Sequence, residues 1–60
     1  MDYPELLVYA IKKENSSHRL YATMASIFSE PELKDIFLKL ALEEANHKRR
    51  LEIEHDSVTF

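Results

Sequence analysis

The fold of this chain is decided by the stretch Leu40-Ala-Leu-Glu-Glu-Ala-Asn-His-Lys-Arg-Arg-Leu51. Most of its residues favour helix, and it contains Glu44 and His47 three positions apart. Residues three apart lie on the same side of a helix, so this carboxylate and this imidazole can converge on one point. The pair is therefore a candidate for part of a metal site.

Glu44 and His47 lie on the stripe that an amphipathic helix turns toward a core. Apolar residues recur around them at steps of three and four, and the two polar residues take the central places of the series. Burying ionisable groups is costly unless something neutralises their charge, and a bound cation would do so. The apolar members of this stripe are Leu33, Phe37, Leu40, Leu51 and Val58.

The composition excludes several classes of protein. Sixty residues make at most one small domain, which at this length usually needs disulfides, a metal or a partner chain for stability. Without cysteine, disulfides, thiolate zinc sites and iron–sulfur clusters are excluded. The net charge of −3 argues against nucleic acid, and no apolar run is long enough to cross a membrane. We therefore expect a cytoplasmic protein with neither of these partners, stabilised by metal or self-association.

The chain starts a helix twice. Asp2-Tyr-Pro-Glu5 combines an acidic cap, a proline in the first turn and a glutamate three residues after the cap. Ser29-Glu-Pro-Glu32 repeats the arrangement with serine as the cap. With no glycine and only two prolines, the sequence predicts an all-α hairpin. Its helices should cover about 4–28 and about 30–56 within a single half-domain, 1–60.

The first helix has a stripe of its own that matches the second. It is apolar at both ends and interrupted in the middle by Glu14 and Ser17. In an antiparallel hairpin, residues equidistant from the turn lie side by side, and Glu14 and Glu44 are centred on position 29. We therefore expect Glu14, Glu44 and His47 to meet on the buried face. The first stripe consists of Leu7, Ala10, Glu14, Ser17, Tyr21, Met24 and Phe28.

One hairpin supplies only three ligands of this kind. A second copy related by a two-fold axis would give four carboxylates and two imidazoles, a set that holds two metal ions in four-helix bundles. The predicted fold is therefore an antiparallel two-helix hairpin that forms a four-helix bundle by dimerisation. The partner is a second copy of the chain, as a dimer or a larger ring of dimers.

From Glu5 to Asp56 the chain resembles the ferritin-like superfamily, particularly rubrerythrin-type proteins and half-length encapsulated ferritins. Ala10-Ile-Lys-Lys-Glu14 followed by Tyr21 is similar to the first helix of that family, and Leu40-Ala-Leu-Glu-Glu-Ala-Asn-His47 to the second. The resemblance implies a di-iron centre at the dimer interface. It also implies that Glu14, Glu44 and His47 are the metal ligands and act catalytically through the bound metals. Two roles stay open for Tyr21 on the first stripe: its hydroxyl reaches the site behind the ligands or as a weak ligand, or the ring packs in the core with its hydroxyl hydrogen-bonded.

The function implied by the resemblance is oxidation of Fe(II) by dioxygen or peroxide, in iron storage or detoxification. Two alternatives stay open: a rubrerythrin-like peroxide reductase, and a metal-free helical dimerisation module. The resemblance also implies an encapsulating shell or an electron donor as a further partner, and with the shell a location inside a protein compartment. Three roles stay open for His18, which lies one turn from Glu14: an extra ligand, part of a metal access route, or a partly exposed helix residue.

Overall fold

The computed structural model describes residues 1–59 as two antiparallel helices joined by a tight turn. Helix α1 covers Tyr3–Ile27 and helix α2 covers Pro31–Val58. The pair forms a flat body of about 45 × 17 × 10 Å, and the described residues contain no strand. The prediction of an all-α hairpin is confirmed. The observed helices compare with predicted ranges of 4–28 and 30–56.

Helix α1 begins as its sequence indicates. Asp2 is the N-cap, and its Oδ1 accepts a hydrogen bond of 2.9 Å from the backbone N–H of Glu5. That bond satisfies one of the four N–H groups that a helix start leaves without a partner. At the other end Phe28 is the C-cap, and its N–H donates to the Met24 carbonyl at 3.3 Å.

The predicted serine cap of α2 is wrong. Glu30 is the N-cap, its side chain makes no capping hydrogen bond, and Ser29 lies one residue outside the helix. The reason is Pro31, which takes the first helical position. The residue before a proline is restricted to extended backbone, and Glu30 adopts it with φ −72° and ψ 122°. Pro31 also lacks an N–H, so the helix start has one donor fewer to satisfy.

The core of the hairpin is small because each helix contacts only one other. Leu7, Ala25 and Ala41 are the buried residues within 1–59. Two of them are alanines, whose small side chains let the helix backbones approach closely. Every other member of the α1 stripe is half-buried, as predicted. On α2 the prediction is wrong for Val58, which is exposed in the last turn of the helix, and for His47, which is also exposed instead of lying on the buried face.

Phe37 anchors the end of the hairpin nearest the turn. Its ring stacks on Phe28 with centroids 5.3 Å apart and on Tyr21 with centroids 6.4 Å apart. Aromatic stacking stabilises this end of the contact beyond the effect of the area that the rings bury.

Much apolar surface stays uncovered on the outer sides of both helices. No helix among the described residues has the length and apolarity required to span a membrane. The exposed large apolar residues are Met1, Tyr3, Leu6, Val8, Tyr9, Leu20, Ile27, Ile36, Leu38, Leu42, Ile53 and Val58.

Polar side chains also form hydrogen bonds between the two helices. Near the turn, the Lys34 ammonium donates to the Ala25 carbonyl at 2.7 Å. Ala25 lies in the last turn of α1, where carbonyls have no partner within the helix and where α1 carries no basic residue of its own. Lys34 therefore satisfies a helix end and places a positive charge at the negative end of the α1 dipole.

Replacing Lys34 by Met should lower the free energy of unfolding by about 1–2 kcal/mol, because the bond to the Ala25 carbonyl is charge-assisted and half-buried. Urea denaturation followed by circular dichroism measures the change. Lys39→Met is the matched control, since Lys39 pairs only with Asp35 on the exposed face of the same helix. That variant should lose less than about 0.5 kcal/mol. Equal losses in the two variants would contradict this role for Lys34.

Candidate metal centre

The structure brings Glu14, Glu44 and His47 together at mid-height of the hairpin. One ligand atom from each side chain lies within 4.8 Å of the other two. His47 Nδ1 is 3.6 Å from Glu14 Oε2 and 3.9 Å from Glu44 Oε1. Both distances are too long for hydrogen bonds, so His47 is hydrogen-bonded to neither carboxylate although the three groups surround a common point.

The three side chains differ in how far water reaches them. The Glu14 and Glu44 side chains are 23% and 20% exposed, whereas the His47 side chain is 50% exposed. The carboxylates therefore lie in the contact between the helices and the imidazole lies at its edge. His47 opens the group toward one uncovered side of the hairpin.

The carboxylates have no structural counter-ion. Among residues 1–59, the ion pairs to Glu14 and Glu44 come from His47 alone, and no Lys or Arg nitrogen lies within 4.0 Å of either carboxylate. Lys48, one turn beyond Glu44, instead donates from Nζ to Asn15 Oδ1 at 3.0 Å. The two acids are therefore not held together by a cross-helix salt bridge.

One carboxylate oxygen is left without any partner. Glu14 Oε2 is buried and makes no hydrogen bond. A buried acceptor in this state costs about 1–3 kcal/mol, so a native structure normally supplies it with a proton or a cation. The unpartnered atom is also the Glu14 oxygen nearest to His47.

The pKa of Glu44 is raised above its ordinary value of 4.5 by its neighbours. The largest cause is hydrogen bonding to Glu14, which only the protonated carboxyl can donate; removal from water and repulsion by the Glu14 and Glu43 charges act in the same direction. The charge interaction with His47 opposes them. Without a metal, the site therefore favours a proton on Glu44 that can be shared with Glu14.

This combination of groups fits a divalent cation. A cation would satisfy the unpartnered Glu14 oxygen, remove the repulsion between the acids and use the lone pair of a neutral His47. Carboxylates with one imidazole suit hard or intermediate ions such as Mn²⁺ and Fe²⁺, and the absence of thiolates disfavours soft ones. The residues present are thus chemically suited to iron.

Tyr21 and His18, which the sequence also singled out, lie outside the three-residue group. Tyr21 is half-buried and stacks on Phe37. His18 is half-buried, with Nδ1 at 2.8 Å from the carbonyl of Ala41. Asn15, which the sequence did not single out, accepts a hydrogen bond from Lys48 across the helices.

The fold and the side-chain set are those of a helical protein with a carboxylate–histidine site. The sequence model of the rubrerythrin family matches residues 5–59, nearly the whole chain, and the chain belongs to this family. Members of the family typically bind iron. No curated protein and no solved structure matches the chain.

The raised pKa of Glu44 makes the stability of the metal-free protein depend on pH. A carboxyl whose pKa is raised by folding binds its proton more tightly in the folded state. Its contribution to stability is therefore fully present below 4.5 and is lost as the pH rises through the folded-state pKa. We expect metal-free Glu44→Gln to be more stable than the unsubstituted protein at pH 7, with a smaller advantage at pH 4.

Urea midpoints at pH 4, 5, 6 and 7 in the presence of a chelator measure this dependence. Glu54→Gln is the control, because Glu54 is exposed on the same helix. A stability advantage of Glu44→Gln that is the same at every pH would contradict the shared proton.

Proposed function

We propose that this chain binds Fe(II) through Glu14, Glu44 and His47 and promotes its oxidation by dioxygen or peroxide, at a site shared with a second copy. The observation that carries the proposal is the buried, unpartnered Glu14 Oε2 lying 3.6 Å from His47 Nδ1. A metal-free structural pair of acids would be expected to have a Lys or Arg against it, and these carboxylates have neither within 4.0 Å.

Each residue has a distinct task in this function. The Glu14 and Glu44 carboxylates bind Fe(II), and their negative charge stabilises Fe(III) more than Fe(II), which lowers the reduction potential of the bound iron. Neutral His47 gives one nitrogen lone pair. Two Fe(II) ions lose one electron each, and a dioxygen molecule that takes both electrons and two protons leaves as hydrogen peroxide. With peroxide as the oxidant, the same two electrons and two protons yield two water molecules.

The direction of the apolar stripes supports a second copy as the missing half. Successive residues of a helix point in directions 100° apart. On this basis the centre of each apolar stripe lies about 45° away from the direction of the other helix in the same hairpin. Both centres are displaced toward the same side of the hairpin. A helix in a four-helix bundle has two neighbours at about right angles, so its stripe should point between them. Leu6 and Ile36, both exposed, lie on this side together with the half-exposed His47.

The accessible surface of the hairpin also supports a partner. It exposes 4674 Å², whereas a compact monomer of 7.1 kDa exposes about 4,100 Å². The excess is comparable with the roughly 800 Å² that each partner buries in a standard interface. A second copy on the side of His47 would cover this surface and bring two further carboxylates and one imidazole.

The same ligands would serve a peroxide reductase, and dependence of turnover on an added electron donor distinguishes it from Fe(II) oxidation. A metal-free dimerisation module is the other alternative, and the unpartnered Glu14 oxygen disfavours it. Metal analysis of protein purified without added iron separates that module from both metal-dependent functions.

Glu14→Gln should separate metal binding from folding. The introduced amide cannot bind Fe(II) as an anion, but it can donate a hydrogen bond to Glu44. The metal-free variant should therefore be as stable as the unsubstituted protein or more stable by on the order of 1 kcal/mol. Fe(II) binding should weaken at least about 100-fold, and Fe(II) oxidation should be lost.

Urea denaturation without metal and anaerobic Fe(II) titration provide the two measurements for this variant. Glu54→Gln is the matched control, since Glu54 is exposed on the same helix as Glu44 and its charge is not among those that shift the Glu44 pKa. Unchanged Fe(II) affinity in Glu14→Gln, or a large loss of metal-free stability, would contradict the proposed site.

Fe(II) should promote assembly, because each hairpin carries half of the shared site. A ligand that binds only the assembled form shifts the population toward it by mass action. Light scattering at several protein concentrations, with and without Fe(II) under anaerobic conditions, measures the mass. Saturation is expected at about one Fe(II) per chain, from two carboxylates and one imidazole in each hairpin. A protein that stays monomeric when saturated with Fe(II) would contradict the shared site.

A further inference from the structure

His18 lies one helical turn after Glu14 on the contact face of α1, and the proposed function gives it no role. Its Nδ1 is 2.8 Å from the backbone carbonyl of Ala41, in a half-buried position. Ala41 is one of the buried residues of the hairpin and precedes Glu44 by three positions, about one turn. The contact therefore joins the two helices one turn away from the carboxylates.

The chemistry of this contact fixes the proton on the ring. A carbonyl oxygen only accepts hydrogen bonds, so His18 Nδ1 must carry hydrogen and donate it. Neutral and protonated His18 both have an Nδ1–H, and the contact therefore persists in either state. A carbonyl has two lone pairs, so Ala41 can accept from His18 while it still accepts from the next turn of α2.

The contact acts on a rigid part of α2. Apolar packing has no direction, and a contact made largely of alanine and leucine side chains resists sliding along the helix axes only weakly. The bond from His18 is directional, and it holds the α2 backbone itself instead of a mobile side chain. Because one residue of a helix rises 1.5 Å, a small slip would separate acids that lie within a 4.8 Å group.

The other two cross-helix hydrogen bonds found among residues 1–59 are less suited to this task. Lys34 reaches Ala25 near the turn, about 15 Å along α2 from Glu44. Lys48 donates to the side chain of Asn15, so both the donor and the acceptor lie at the ends of flexible side chains. A histidine has two rotatable side-chain bonds and a lysine has four, so His18 fixes its partner more tightly.

We infer that His18 is the positioning residue of the metal centre: through the Ala41 carbonyl it sets the axial alignment of the helices that holds Glu14 and Glu44 within ligand distance of each other. This inference rests on the proposed function for its effect on metal binding. The alignment itself is a property of the metal-free hairpin and can be measured without any metal.

Three variants test the inference. His18→Phe keeps an aromatic ring and removes the donor. His18→Asn restores a donor, because the asparagine Nδ2 occupies about the place of the histidine Nδ1. Lys34→Met is the control, since it removes a cross-helix bond to a backbone carbonyl far from the carboxylates.

The first readout is Co(II) binding by the full chain, followed through the visible absorption of the ion, which reports on its ligands. His18→Phe should weaken binding by about 10–100-fold, as loss of a supporting contact does in other metal sites. His18→Asn should recover most of the affinity and the spectrum, and Lys34→Met should keep both despite its lower stability. Equal weakening in His18→Phe and Lys34→Met, or no recovery in His18→Asn, would overturn the inference.

The second readout is the proximity of the Glu14 and Glu44 side chains in the metal-free protein, measured by nuclear Overhauser effects between their methylene protons. These effects should weaken in His18→Phe and persist in the other two variants. Unchanged effects in His18→Phe would overturn the inference whatever the metal results. If the unsubstituted protein binds no Co(II) or Fe(II), the proposed function fails, and this readout alone decides the role of His18.

Discussion

The placement of two carboxylates side by side in a helix–helix contact is the constraint on which this structure depends. Glu14 and Glu44 are each about one-fifth exposed, and the groups that approach them are each other and His47. Their repulsion opposes the contact that the surrounding apolar residues favour. This repulsion contributes to the raised pKa of Glu44, because a proton on the Glu44 carboxyl relieves the repulsion in the metal-free protein. A divalent cation would relieve it more completely, because it would also satisfy the unpartnered oxygen of Glu14.

The small size of the hairpin limits how much apolar surface it can bury. Two helices bury only one side of each stripe, and the core consists of one leucine and two alanines among the described residues. Such a contact provides little hydrophobic stabilisation, since about 25 cal/mol is gained per Å² of apolar surface removed from water. The side that remains uncovered includes the exposed half of His47. The second copy that we propose would serve both apolar burial and the completion of a metal site, in one interface.

Specific residues illustrate how far the sequence predicts the structure. The Asp2 cap, the end of α1 before Pro31, and the meeting of Glu14, Glu44 and His47 follow from local rules and from counting positions along an antiparallel pair. Ser29 was mispredicted as a cap, because the restriction that Pro31 places on its neighbour outweighs the capping preference of serine. Val58 was mispredicted as buried, because periodicity identifies the side of a helix but not where its partner ends. The bonds from His18 to the Ala41 carbonyl and from Lys48 to Asn15 depend on side-chain rotamers and the axial alignment, which no spacing rule encodes.

The sequence by itself determined the two helices, their antiparallel pairing and the three residues of the candidate site. Helix periodicity and caps act over a few residues, and they are legible in the order of the amino acids. Only the tertiary structure decided which side of each stripe the partner helix covers, that Glu14 Oε2 is left without a partner, and that His47 stands at the open edge of the group. These features depend on the rotation and axial position of one rigid helix against the other. The close packing of alanines and the bond from His18 to the Ala41 carbonyl belong to this arrangement, and neither contact has a signature in the local sequence.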